Sequence, residues 1–321
     1  MPAITLDRRT IGTLEVSLTG LGCNNFGWRI DATESARVVK AALDSGINFF
    51  DTADIYDSGR SEEFLSRALA GRRHEAIIAT KFGAKFDERR YGASRKYIRQ
   101  AAEDSLRRLG TDYIDLYQIH EPDPNIHIDE TLEALSELVG EGKVREIGCS
   151  NFSAEHIREA QRPPGDPSRA QLVSVQNEYS LLHREPEAEV LPECRRFGLA
   201  FLPYYPLASG LLTGKYRRSQ PLPKGSRGET GFGPNFFTEE NVDKVECLIQ
   251  FADERGHSLL DLAFSWLAAQ AGVASIIAGA VSPDQVRANA VAPLWKLDLD
   301  DIRKINALLV PRRSELEQLD A

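Results

Sequence analysis

Short runs of aliphatic and β-branched residues alternate along the chain with longer stretches in which apolar residues recur every three to four positions, with charges between them. The first pattern suits strands buried on both faces, and the second suits helices that bury one stripe. Strand-like runs fall at residues 18–21, 47–50, 76–80, 113–119, 144–149, 172–176, 199–202 and 274–277. Helical patterns at 33–43, 94–109, 131–140 and 190–197 lie between them, and an opening β-hairpin is expected near 10–16. Strands alternating with helices predict parallel βα units. Eight of them in one chain favour an α/β fold closed as a (β/α)8 TIM barrel. An open doubly wound sheet usually has fewer strands and a point where their order reverses. No low-complexity block or interdomain linker interrupts the pattern, so residues 1–321 read as a single barrel domain.

Three segments depart from this regularity. Residues 216–238 are rich in Gly, Pro, Arg and Phe and long for a βα loop, and they read as a lid. Residues 299–309 predict a C-terminal helix, and the polar remainder, 310–321, reads as a mobile tail. The uncharged stretch 262–283 is long enough to raise the question of a membrane span. Its Ala, Ser and Gly content, with Gln270 and Gly272 inside it, fits better the end of a buried helix, a turn and a short strand.

Charge narrows the partners. With 39 Lys+Arg against 48 Asp+Glu, the formal charge of −9 repels nucleic acid and anionic membranes, so neither is expected as a partner. Cys23, Cys149, Cys194 and Cys247 are far apart, with no CxxC pair and no Cys/His cluster, so no metal site is expected. They read as reduced thiols, and the first ten residues show no apolar signal segment, which together predict a cytoplasmic protein.

The candidate chemistry lies just past the ends of the second, third and fourth strands, at Asp51, Lys81 and His120. In a barrel those ends open on one face, where catalytic groups collect. Tyr56 follows in the loop after Asp51. A phenol titrates near 10, a neighbouring ammonium favours its phenolate, and an aspartate can hold that ammonium in place, which makes tyrosine useful as a proton donor. Singly, Asp51 reads as a turn cap, Lys81 as a solvated strand end and His120 as the residue before the Glu121-Pro122 turn. The four together favour catalysis. Gly20-Leu21-Gly22 begins like a GxGxxG fingerprint, but Asn25 stands where the third glycine belongs and no helix starts before about residue 33, which argues against a Rossmann turn.

The chain resembles the aldo-keto reductases. The matching segments are Asn48-Phe49-Phe50-Asp51-Thr52-Ala53 with Tyr56, Ala79-Thr80-Lys81-Phe82-Gly83, Tyr117-Gln118-Ile119-His120, Gly148-Cys149-Ser150-Asn151-Phe152 and Val175-Gln176-Asn177-Glu178-Tyr179-Ser180. Pro206-Leu207, Ser209 through Tyr216, and Ile277-Ala278-Gly279-Ala280 continue the match over nearly the whole chain. The resemblance implies a barrel that binds NADPH, with NADH as a second cofactor, and transfers hydride to an aldehyde or ketone. It makes Tyr56 the proton donor, has Lys81 paired with Asp51 lower the pKa of that phenol, and lets His120 orient the carbonyl oxygen. Ser150, Asn151 and Gln176 would hold the nicotinamide carboxamide, and Tyr204 would stack on the ring. Gly22, Cys23, Asn24 and Asp51 would line the mouth. Tyr205, Pro206, Leu207, Ser209, Gly210, Leu211 and Lys215 would surround the phosphates. From the composition of the lid rather than from the family, Arg227 between Gly225 and Gly228 is expected to clamp those phosphates when the loop closes. Gly279, Val281, Ser282, Gln285 and Asn289 would meet the adenosine end. Family members usually carry Ser at the place of Tyr205 and often a basic residue at that of Val281, so the pyrophosphate contacts differ and a weaker NADPH preference is expected.

Trp28, Phe82 and Phe86, with Tyr56 and His120, are expected to form the substrate pocket, and Tyr205, Phe232 and Phe236 add aromatic surface. The substrate is then a small carbonyl compound. The alternative is a cofactor-binding, redox-sensing regulatory subunit with little turnover, as some members of the family are with membrane-channel partners. No long extension precedes the barrel in this sequence, which favours the enzyme.

Overall fold

Strands β1 (Arg8–Ile11) and β2 (Leu14–Ser17) open the chain as an antiparallel hairpin, turned at Gly12, whose φ of 55° lies in the left-handed region that glycine tolerates. The computed structural model describes residues 6–161, 169–218, 220–224, 226–230 and 236–310, with the side chains of Arg227 and Thr230 excepted. The hairpin tip is fixed where the Thr13 N–H and hydroxyl both donate to Glu146 Oε1 at 2.7 Å.

Eight parallel strands follow: β3 (Thr19–Gly22), β4 (Phe49–Asp51), β5 (Ile77–Phe82), β6 (Ile114–Ile119), β7 (Val144–Ser150), β8 (Leu172–Glu178), β9 (Ala200–Tyr204) and β10 (Ile276–Gly279). Each of β3 to β8 pairs with the next in sequence, and β10 pairs with β3. Closure comes just before β10, where Phe201 of β9 bridges Val273, its N–H donating to Gly272 O at 2.8 Å and its carbonyl accepting from Ala274 N at 2.9 Å. The sheet is therefore the barrel that the strand count predicts.

Around it lie α1 (Ala32–Asp44), α2 (Arg60–Ala68), α3 (Arg95–Leu109), α4 (Ile128–Gly140), α5 (Ala154–Ala160) and α6 (Val190–Phe197). They continue with α7 (Arg227–Thr230), α8 (Glu239–Asp253), α9 (Leu259–Ala268), α10 (Pro283–Val291) and α11 (Leu299–Leu309). Side-chain caps set many of the starts, as at Asp31, Ser94 and Asp298, and Ser153 and Ser258 form capping boxes. The stretch 262–283 becomes the body of α9, a turn and β10. Among the described residues no helix is long and apolar enough to cross a membrane.

The core has two parts. Ile11, Leu14 and Val16 of the hairpin pack with Phe49, Ala79, Leu116, Leu202, Ala274 and Ile277 inside the barrel, so the hairpin plugs its N-terminal end. A larger apolar layer fills the space between strands and helices. With one end plugged, the other is left for chemistry. The lid expectation falls partly outside the described residues, as does the tail beyond Val310.

Candidate active site

Adjacent strands bring the four candidate residues together. Asp51 is the last residue of β4, Lys81 lies inside β5 and His120 directly follows β6. The strands thus run slightly past the apolar runs, and Asp51 and Lys81 belong to them rather than to the loops. Lys81 is fully buried, and a buried ammonium must be paired and hydrogen-bonded. Its Nζ donates to Asp51 Oδ2 at 2.6 Å, to Thr52 O at 2.9 Å and to Tyr56 Oη at 3.5 Å. Asp51 Oδ1 accepts from Gln176 Nε2 at 2.8 Å and Gln118 Nε2 at 3.3 Å, so both carboxylate oxygens are held.

Tyr56 meets His120 edge-on, with ring centroids 5.9 Å apart and planes at 82°. Burial and the Lys81 charge push His120 down to about 3, so the imidazole is neutral at ordinary pH. Lys81 acts on Tyr56 in the direction the resemblance implies, but burial acts more strongly. Burial raises its pKa, Lys81 opposes that, and Asp51 pushes the same way as burial, so the net shift is upward. With burial the leading cause and Asp51 adding to it, the phenol keeps its proton and stands ready as an acid. Burial pulls the Lys81 pKa down, but Asp51 and Tyr56 outweigh it and the ammonium stays charged.

Neighbouring strand ends supply a polar rim. Ser150 Oγ donates to Gln176 O at 2.8 Å, Asn151 Nδ2 donates to His120 O at 3.0 Å, and Tyr204 Oη donates to Asn151 Oδ1 at 2.8 Å. After β9 the backbone turns through a left-handed run at Tyr205, Ala208, Ser209 and Gly210, with φ of 49°, 44°, 56° and 97°. Such strain concentrates at ligand sites. At Gly210 an added Cβ would lie 3.2 Å from Lys215 Nζ, so the missing side chain leaves that ammonium its place. Past β10, Ser282 Oγ caps α10 by accepting from Gln285 N at 3.3 Å, while Gln285 Oε1 accepts from Val281 N at 2.8 Å.

These groups surround one cleft of about 1060 Å³ at the C-terminal mouth of the barrel. It reaches from Gly22, Asn24 and Trp28, past Asp51, Tyr56 and His120, to Ser150, Asn151 and Gln176. Tyr204, Tyr205, Pro206, Leu207, Ser209, Gly210 and Lys215 form one wall, and Gly279, Val281, Gln285 and Asn289 form the far end. Lys81 lies directly behind it.

Six expected residues do not line it. Phe82 points away because side chains alternate along a strand: Lys81 faces inward, so Phe82 packs outward on Tyr117 at 4.8 Å. Phe86 is covered by the Arg90 guanidinium, 3.9 Å from its ring centroid. Cys23 and Leu211 are buried in the apolar layer, as is Phe236, and Ser282 is engaged as the α10 cap. Phe232 and the Arg227 side chain lie outside the described residues. The cleft adds Asn25, Arg29, Ile55, Asp57, Lys224 and Leu260, which no motif singled out. For Arg29 and Asp57 the only available signal was proximity to Trp28 and Tyr56 in sequence.

A family model described as the Aldo/keto reductase family matches residues 19–310. The chain belongs to the aldo/keto reductase family. It is 36% identical over 316 residues to the aldo-keto reductase YhdN of Bacillus subtilis, covering 92% of this chain and 91% of that protein. It is 35% identical over 305 residues to a probable voltage-gated potassium channel subunit beta of Oryza sativa, covering 90% and 92%. The solved holo form of an aldo-keto reductase from Bacillus halodurans superposes with a TM-score of 0.79 at 35% identity, covering 97% of this chain and 99% of that one. Aldo/keto reductases are oxidoreductases built on this barrel. The cleft fits the nicotinamide dinucleotide that the family implies: it is long, and a polar rim at its floor and an ammonium on its wall face it. The buried Ser209 Oγ on that wall has no protein hydrogen-bond partner among the described residues.

Proposed function

We propose that this chain is a reductase that moves hydride from NADPH to an aldehyde or ketone, with Tyr56 giving the proton. The observation that carries the reading is the contact of Lys81 Nζ with both Asp51 and Tyr56 Oη, set beside a neutral His120 at the floor of an open cleft. A reduced nicotinamide bound there supplies the hydride, which goes to the carbonyl carbon. Tyr56 Oη–H gives its proton to the carbonyl oxygen, and the ammonium of Lys81 steadies the phenolate left behind, held in place by Asp51. His120, uncharged, keeps a ring nitrogen for the carbonyl oxygen. Ser150, Asn151, Gln176 and Tyr204 stand where the carboxamide and ring would be held.

NADPH is the proposed cofactor, with NADH accepted, because the turn at Val281 offers no cation of its own and Arg287 is tied to Asp284 at 2.7 Å. The likeness to proteins named as potassium-channel beta subunits supports a second reading, a redox-sensing subunit with little turnover. A cytoplasmic location fits either. The test is carbonyl reduction followed at the cofactor's absorbance with a panel of aldehydes and ketones. Tyr56→Phe should lower kcat by about 10² to 10⁴ and leave cofactor affinity nearly unchanged. More than about a tenth of wild-type turnover in that variant would assign the proton elsewhere, and a wild type that binds cofactor but reduces nothing would favour the second reading.

A further inference from the structure

Behind the catalytic segment, on the side away from the cleft, lies a buried polar cluster that the reaction above does not use. Asp54 is 2% exposed and its neighbours Glu62 and Tyr117 are fully buried. Glu62 is well served: Thr80 Oγ1 donates to its Oε1 at 2.6 Å, and Arg108 Nε donates to its Oε2 at 2.6 Å. Arg108 also donates to Ser105 Oγ at 3.2 Å. Among the described side chains Asp54 is met by Tyr97, whose hydroxyl donates to Oδ2 at 3.4 Å. Its Oδ1 and the Tyr117 hydroxyl are buried without partners among the described residues. Two carboxylates here share one guanidinium, and that guanidinium is bonded to Glu62.

We propose that Asp54 is a positioning residue for Tyr56, tying the back of the catalytic segment to α3 through Tyr97. The proposal rests on the reading of Tyr56 as proton donor. The segment from Asp51 to Tyr56 is fastened on both sides. At its front, Thr52 O accepts from Lys81 Nζ. At its back, the Asp54 N–H donates to Lys81 O at 3.1 Å and the Asp54 side chain enters the cluster. Burial, then Glu62, push the Asp54 carboxyl up to about 7, with Arg108, the Ile55 N–H and Tyr97 opposing. Tyr97 and Tyr117 are themselves raised, each first by burial, and stay neutral. Ionising Asp54 places a second negative charge beside Glu62 in a dry pocket, and the relief open to it is to draw water or move outward, taking Tyr56 from Lys81.

Asp54→Asn keeps the shape and removes the ionisation. The wild-type kcat/KM for carbonyl reduction is expected to fall by about tenfold through a transition near neutral pH, whereas Asp54→Asn stays within about threefold of the wild-type value at pH 6 and shows no such transition. Urea unfolding tests the same group without activity. With a folded pKa above the unfolded one, the wild type keeps a proton that the unfolded chain releases. Its stability relative to Asp54→Asn should thus fall as pH rises from about 4 to 7, on the order of a thousandfold in the unfolding constant, and then level off. Should Asp54→Asn not fold, Tyr97→Phe removes both the tie to α3 and a donor that favours the charged form, so it should lower kcat/KM at every pH and move the transition to higher pH. Parallel pH profiles for wild type and Asp54→Asn, or a transition unmoved by Tyr97→Phe, overturn the role of Asp54 even if Tyr56→Phe is inactive. A fully active Tyr56→Phe overturns the donor reading and with it the positioning role, while the unfolding comparison still reports whether Asp54 is held neutral.

Discussion

The strongest single-residue constraint is the burial of Lys81, because an ammonium without water must be surrounded by acceptors or give up its charge. Asp51, Thr52 and Tyr56 all serve that need, which is why residues distant in sequence have fixed positions around one nitrogen. This logic was legible in the sequence as far as residue type and strand end go. The direction of the Tyr56 shift was not, since it depends on burial and on how far Asp51 cancels the ammonium. The aromatics show the same limit: Trp28 does line the cleft, but Phe82 shares its strand with Lys81 and must face the other way. Phe82→Ala should cost about 3 to 5 kcal/mol of stability and leave the substrate KM unchanged. Trp28, 46% exposed, should do the opposite on replacement by Ala, raising KM with little change in denaturation midpoint. Steady-state kinetics and urea titration of the two variants separate these roles.

At the scale of elements, helices with a clean apolar stripe were visible before the structure, and α6 matches its expected bounds at Val190–Phe197. Others carried no such stripe. α9 buries Leu262, Ala263, Phe264, Trp266 and Leu267 on nearly every side, so no polar face marks its period, and α2 is short and buries Ser61 and Glu62. The turn from β10 into α10 also depends on local bonds that sequence spacing does not reveal. Gln285 folds back to its own turn through Val281 N, Ser282 is occupied as the cap, and Arg287 pairs with Asp284. A 2′-phosphate lacking one charged contact binds more weakly by about 1.5 to 3 kcal/mol, roughly ten- to a hundredfold. The kcat/KM preference for NADPH over NADH is therefore expected to be less than about a thousandfold, and Val281→Arg should widen it by about tenfold or more. A wild type that prefers NADH, or a variant whose ratio is unchanged, would show that this turn does not meet the phosphate.

Across the whole molecule, the barrel divides labour between its ends. The hairpin closes one end with Ile11, Leu14 and Val16, while the cleft with its buried charges and left-handed turns opens at the other. The left-handed backbone at the mouth stores strain that must be offset elsewhere, and the well-packed plug and apolar layer are where that stability resides. Closure itself rests on few bonds, at Phe201 with residues 272–274, and Arg9 of the hairpin donates to Val273 O and Ala268 O beside that seam. Plug and seam thus form one unit at the end away from the chemistry. Leu14 is fully buried there, so Leu14→Ala should cost about 2 to 5 kcal/mol, lowering Tm by several degrees. The same variant at 25 °C should keep kcat and both KM values within about twofold of wild type, because Leu14 packs in the plug layer at the end of the barrel opposite Tyr56, Lys81 and His120. Calorimetry paired with kinetics well below the transition decides the matter: a tenfold loss of kcat in a folded Leu14→Ala protein would mean that packing at the closed end sets the geometry of the open one.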